Sequence, residues 1–254
     1  MKIIAIIQAR MSSSRLPGKT MMQICNKPVI EHIVNRVTSC NQIEEVILAT
    51  SNDSSDDILY QWAKNHSITC YRGSLEDVLD RFYNAAALNY ADVVVRITGD
   101  CPLIDPGTID EVVQGFIQGD YDLYSLGGAF PDGLDCQVFS FKSALEVAWK
   151  QSTLLSEREH VCPYIENNPA LFKLGALEKF SSDRSIRLTL DQQEDFELIN
   201  KIYEHLYYKN PLFNIHSIFE FLDNNPALLD INSAIIRNEG YYKSLALDNK
   251  QKNN

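Results

Sequence analysis

Apolar β-branched runs and helical periodicities alternate through the first hundred positions. The runs fall at residues 3–8, 46–50, 68–71 and 93–98, each apolar almost throughout. Strands of a parallel sheet read this way because helices cover both faces. The intervening stretches predict helices over 28–40, with Pro28 in the first turn, and over 56–65 behind a Ser/Asp start. A third helix is expected over 74–90, opened by Ser74 and Asp77 in the manner of a capping box, and a fourth follows Pro106. Repetition of strand and helix is the signature of βαβ units.

From position 121 onward the rhythm loosens. Strands are expected at 121–126, 136–141, 171–176 and 186–190, and helices at 142–150, 157–167, 193–208 and 215–223. No repeat or linker-like stretch separates the halves, so one α/β domain over 1–246 is expected, with a disordered tail over 247–254. Its sheet should be mainly parallel and flanked by helices.

Composition narrows what such a domain does. With 254 residues, 45% of them hydrophobic, the chain can bury a large core. Its net charge of −11 argues against general affinity for a nucleic acid polymer or an anionic membrane, so a nucleotide would need a local basic pocket. No run approaches a membrane span, and the opening "IIAII" is too short for a signal-peptide core, which makes the cytoplasm the expected compartment. The six cysteines lack metal-site spacing and read as buried thiols.

In open α/β sheets, ligands gather at the carboxyl ends of strands, and four clusters stand there. After the first strand, Ala9 to Lys19 packs Arg10, Arg15 and Lys19 with the hydroxyls of Ser12, Ser13 and Ser14. Fixed cations and small donors suit a triphosphate; a solvated loop is the plain alternative. Gly18-Lys19-Thr20 falls short of a P-loop, because Ser13 stands where the motif needs glycine. After the third strand come Arg72, Ser74 and Arg81, at a helix start that offers free N–H groups to an anion or a base carbonyl. There Ser74 would otherwise only cap the helix.

The third cluster is "RITGDCPLID", where Gly99 breaks the strand and presents Asp100, a hard oxygen ligand for Mg²⁺ or a turn former. The fourth is "IRLTLD", ending on Asp191, which either caps the following helix or joins Asp100 as a two-carboxylate platform. Two strand-end acids opposite a cationic loop match what metal-assisted nucleotidyl transfer requires. Weaker signals are Asp132 and Asp135 in "FPDGLD", a turn whose acids could line a polar sugar site, and His160 in "SEREH", which could contact an acceptor anion or be structural.

Taken in order, "IIQARMSSSRLPGK", "YRGSLEDVLDRFYNAA", "VVRITGDCPLIDP", "FPDGLDCQVFSF", "SEREHVCPYI" and "RLTLDQQEDFELI" resemble the CMP-sugar synthetases, in particular the spore coat polysaccharide biosynthesis protein F type of cytidylyltransferase. The resemblance spans roughly residues 2–210. It implies a Rossmann-like nucleotide-binding fold of the glycosyltransferase A kind, CTP and Mg²⁺ as ligands, and a homodimer. It lays a phosphate loop on Ala9, Arg10, Ser13, Arg15 and Lys19, nucleoside recognition on the stretch holding Arg72, Ser74 and Arg81, and metal binding on Asp100 and Asp191. Gln8 stands where many CMP-sugar synthetases have proline, and Gln137 where this subgroup commonly has an acid, so Gln137 marks a differing acceptor pocket alongside Asp132, Asp135 and His160. The implied reaction transfers CMP from CTP to a sugar acid or phosphonate and releases pyrophosphate, with Arg10, Arg15, Lys19 and Asp100 in catalytic roles. A glycosyltransferase using a finished nucleotide sugar, or a non-catalytic nucleotide-sugar binder, are the alternatives.

Overall fold

The computed structural model describes residues 1–180, 186–237 and 239–252. Among these, seven strands build one sheet in the order β5-β4-β1-β6-β8-β7-β9, with β1 Ile3–Gln8, β4 Glu45–Ser51, β5 Thr69–Gly73, β6 Val93–Thr98, β7 Leu123–Leu126, β8 Cys136–Ser140 and β9 Leu174–Leu177. A small hairpin of β2 Gln23–Ile24 and β3 Lys27–Pro28 lies apart. Strands β5, β4, β1 and β6 are parallel; β8 runs antiparallel to β6 and β7, and β9 is parallel to β7. The expected mainly parallel α/β sheet is therefore present.

Alternation along β1 divides the core. Ile3, Ala5 and Ile7 pack on one face with α1 Val29–Thr38, α2 Asp57–Asn65, α4 Pro106–Gly119, α8 Gln193–Leu206 and α9 Ile215–Asp223. Ile4 and Ile6 point to the other face, against α3 Val78–Leu88, α5 Glu146–Gln151 and α7 Pro163–Glu166. Each such fully buried isoleucine contributes about 1.5–3 kcal/mol of hydrophobic stabilisation. Buried Arg36 of α1 ties distant segments together, donating to the carbonyls of Ile104 and Phe213, both at 2.6 Å.

Several expectations need correction. The helix expected from Ser74 begins four residues later. Ser74 Oγ does accept the Asp77 N–H at 3.2 Å, but the cap of α3 is Asp77, whose carboxylate accepts from Asp80 N at 2.9 Å. The helix expected over 157–167 is two, α6 Leu155–His160 and α7, because Val161 turns to φ 72° and Pro163 cannot donate a helical hydrogen bond. The strand expected over 186–190 is an extended strip with a single bridge, Asp132 to Arg187. It docks on loop backbone instead of a sheet edge: Leu188 N donates to Asp132 O at 2.6 Å and Leu190 N to Asp100 O at 2.7 Å. Gly133, at φ 97°, permits that approach, since a Cβ there would lie 2.5 Å from the Leu188 carbonyl carbon.

The tail is also ordered further than expected. From Leu247 to Lys252 it continues α10 Glu239–Lys252, which packs against α6; Asp248 is buried and accepts a hydrogen bond from Ser156 N at 3.3 Å. A polar sequence that would be unstructured alone is held by this contact. Residues 253–254 lie outside the described residues.

Candidate active site

Parallel βα units put the ends of β1 and β6 side by side, with Gln8 opposite Thr98. Gly99 makes the join close, as a Cβ there would lie 2.7 Å from the Gln8 carbonyl oxygen. The chain after β1 is pinned by Ala9 N to Ala49 O at 3.1 Å and by Met11 N to Asp56 Oδ1 at 2.7 Å. Gly18, left-handed at φ 74°, donates to Met11 O at 3.0 Å and closes the loop on itself. Fully buried Asp56 is thus a loop anchor that sequence reasoning missed; nothing in the pattern of one acid among several marks it.

This loop borders a cleft of about 450 Å³ lined by Ala9, Arg10, Ser13, Arg15, Lys19, Arg81, Asp100, His160 and Asp191. Lys19 is its hub. The ammonium lies 3.1 Å from Asp100 Oδ2, 2.8 Å from Asp191 Oδ1 and 2.7 Å from the Leu190 carbonyl oxygen. Burial alone would lower its pKa, but the two carboxylates outweigh that and raise it. Burial likewise opposes ionisation of Asp100, yet Lys19 and the hydrogen bonds it accepts hold that carboxyl at about 2. Asp100 is therefore available as an anion near neutral pH.

Asp191 is not a helix cap. The first turn of α8 is served by Asp195, whose Oδ2 accepts from Asp191 N and Gln192 N, both at 2.9 Å. The Asp191 side chain instead collects cations: Lys19, Arg15 at 2.8 Å and Arg187 at 3.3 Å. The Asp100 carboxylate also takes a hydrogen bond from Thr98 and, at Oδ1, the weakly donating Cys101 thiol at 3.6 Å. The pair of hard carboxylate oxygens fits Mg²⁺, which takes one or two protein carboxylates and completes its shell with water and phosphate.

A second cleft of about 390 Å³ opens on the β8 side. It shares Arg96, Asp100, His160 and Asp191 and adds Asp132, Asp135, Gln137, Glu166 and Arg187. The four residues singled out for an acceptor, Asp132, Asp135, Gln137 and His160, all line it. Asp132 accepts from Arg187 at 2.9 Å, while Asp135 Oδ2 accepts from Gly133 N at 3.0 Å. Burial pushes the Asp135 carboxyl up and also lowers the His160 pKa, the latter despite the pull of Glu159.

Two predicted residues do not join either cleft. Arg72 holds the β4–α2 connection, donating to Ser51 O, Asp57 Oδ1 and Asp53 O at 2.8, 2.7 and 2.9 Å. Ser74 keeps a local turn and receives Arg81 on its carbonyl oxygen at 2.5 Å. Their places follow from β5 being the edge strand, two strands away from β1, so Arg72 at its end and Ser74 just after it lie to the side of the β1 and β6 ends. Conversely, sequence reading passed over Arg96 and the α10 residues Gly240, Lys243 and Ser244, which line the clefts. A charge inside "VVVRIT" was the available signal for Arg96; α10 offered none.

Comparison with known proteins adds to this geometry. A family model described as Cytidylyltransferase matches residues 4–217. The chain is 38% identical over 237 residues to an uncharacterized protein of Methanocaldococcus jannaschii, covering 92% of this chain and 96% of that one. It is 33% identical over 232 residues to the spore coat polysaccharide biosynthesis protein SpsF of Bacillus subtilis, covering 88% and 95% respectively. The structure of a cytidylyltransferase from Leptospira borgpetersenii matches with a TM-score of 0.86 at 32% identity, over 93% of this chain and all of that one.

Proposed function

This chain belongs to the cytidylyltransferase family, and on that premise we propose that it transfers CMP from CTP to a hydroxyl of an acidic sugar used in surface polysaccharide synthesis, releasing pyrophosphate. The observation that carries the reading is the Lys19 hub: two acids and several cations converge at the ends of β1 and β6, where a phosphate chain and an attacking hydroxyl can meet.

In this reading Arg10, Arg15, Lys19 and Arg81 cradle the triphosphate, with Ala9 and Ser13 against its path. A triphosphate carries about four negative charges, so these cations are matched to it in number. Arg15 and Lys19 exchange carboxylate partners for phosphate oxygens as the nucleotide enters. The acceptor oxygen forms a bond to the α-phosphorus, the bond from that phosphorus to the bridging oxygen breaks, and pyrophosphate leaves; the hydroxyl proton passes to water. Asp100 and Asp191 would hold Mg²⁺, which when bound neutralises charge on the transferring phosphoryl group. Asp132, Asp135, Gln137 and His160 face the acceptor. No helix of the described residues is long and apolar enough to cross a membrane. A homodimer completes the reading and is checked by light scattering.

The test is pyrophosphate release with each of the four ribonucleoside triphosphates and Mg²⁺, against keto-sugar acids, amino sugars and small phosphonates. Release confined to CTP and a sugar acid is expected. Absence of release with every triphosphate, together with tight binding of a nucleotide sugar, would replace this reading with a transferase or binding role.

A further inference from the structure

Arg96 is the one charged residue of β6, set between Val95 and Ile97. Along β6 the side chains of Val94 and Arg96 share the sheet face of Ile4 and Ile6, and the register sets Arg96 opposite Ile6 on β1 and Gln137 on β8. Only 8% of the residue is exposed, and it borders both clefts. Its Nη1 donates to Gln137 Oε1 at 2.7 Å, whereas Nε is buried without any partner among the described residues. No carboxylate among those residues comes within ion-pair distance of it. A guanidinium in this state is costly, because burial removes hydration and Asp135 and Glu166, though near enough to feel its charge, make no ion pair or hydrogen bond with it.

Resting on the cytidyl-transfer reading, the geometry points to Arg96 as the residue that recognises the anionic group of the acceptor. The other cations of the second cleft are already committed: Arg187 to Asp132, Asp191 and Asp195, and Arg15 to Asp191 and Glu239. The first cleft has its own cations for the triphosphate. Arg96 also takes its one hydrogen-bond partner, Gln137, from the acceptor side. A planar carboxylate or a phosphonate can accept two parallel N–H bonds from the free edge of a guanidinium. Around it stand Asp135 and Glu166, which would repel a bare anion but accept hydrogen bonds from hydroxyls. The chemistry that satisfies both is an acid on a polyhydroxylated skeleton, its anion on Arg96 and its hydroxyls on the flanking carboxyls.

The experiment uses the whole protein saturated with CTP, so that the phosphate loop is filled. Pyruvate, the smallest 2-oxo acid, and its methyl ester are titrated by NMR into the wild type and Arg96→Gln. Expected are binding of pyruvate but not of the ester, at least tenfold weaker pyruvate binding in Arg96→Gln with CTP affinity within twofold, and partial recovery in Arg96→Lys. The melting temperature of Arg96→Gln should be equal or higher, since an uncompensated buried charge is removed; a purely structural arginine would lower it. Equal pyruvate binding by wild type and Arg96→Gln, no binding by wild type, or a loss of CTP affinity that reassigns Arg96 to the nucleotide would each overturn the inference. Failure of the enzymatic reading is seen separately, as absent pyrophosphate release, and leaves the pyruvate titration to decide on Arg96.

Discussion

The β1 side and the β8 side of the site meet at Asp100 but differ in how their charges are arranged. On the β1 side, cations converge and acids hold them in place: Lys19 bridges Asp100 and Asp191, and Arg15 bridges Asp191 and Glu239. On the β8 side, Asp132, Asp135 and Glu166 surround Arg187, which is fully engaged, and Arg96, which is not. The first arrangement keeps cations from repelling one another until a polyanion takes them over. The second leaves one positive group unmatched among hydrogen-bond acceptors, which favours a ligand with one anion and many hydroxyls.

The sharpest way to break this contrast is to remove the hub. Lys19→Met leaves Asp100 and Asp191 without their shared cation in a largely buried setting. Loss of about 3–5 kcal/mol in urea unfolding is expected, as for other broken buried pairs. Adding Asp191→Asn to that variant should restore part of the loss. If Lys19→Met unfolds at the wild-type urea concentration, the acids are solvated and the β1 side is not held together as described.

Asp100→Asn acts on the reaction more than on the fold. It should lower kcat for pyrophosphate release about 10²–10³-fold, the usual cost of deleting one electrostatic stabiliser of a transition state, while melting shifts by only a few degrees. A near-normal kcat would remove Asp100 from the chemistry and leave it a partner of Lys19 alone.

Titration sharpens the contrast with a smaller effect. The carboxyl of Asp100 sits below its ordinary value, at about 2, so its stabilising contribution is present above the ordinary value near 3.8 and is lost as pH falls through 2. Lys19 is shifted the other way: its contribution is present below its ordinary value near 10.5 and is lost as pH rises through the raised one. Urea midpoints of the wild type should therefore fall at both extremes, and the acid-side fall should shrink in Asp100→Asn. An unchanged acid limb in that variant would assign acid sensitivity to other carboxylates.

How far these features were legible follows the same division. The parallel half announces itself because each βα unit is local: β1 and β6 occupy the residues expected from their apolar runs, and the loop cations fall where strand ends must lie. The other half is assembled by contacts distant in sequence. The 186–190 strip takes its shape from Asp132 and Asp100, and α10 takes its from α6, neither of which a local pattern encodes. Sequence left Asp191 open between a cap and a partner of Asp100, because capping is a local habit of aspartate, and only the fold shows Lys19, Arg15 and Arg187 claiming its side chain from three directions.

Arg72 and Arg81 give the mildest test, since one short segment of sequence offered both for the nucleotide. Arg81 lies buried against the first cleft, with Nη1 on the carbonyls of Ser74 and Leu75 and Nε without a partner among the described residues. Arg72 spends its donors on Ser51, Asp53 and Asp57, outside both clefts. Arg72→Gln should accordingly leave the KM for CTP within twofold and lower stability by about 1 kcal/mol, in line with a lost, partly solvated ion pair and its hydrogen bonds. Arg81→Lys, which keeps the charge but not the fork of donors, should raise that KM severalfold. A rise in KM for Arg72→Gln equal to that for Arg81→Lys would mean that the nucleotide reaches across α3 to the β4–α2 connection, and that the boundary drawn around the first cleft is too narrow.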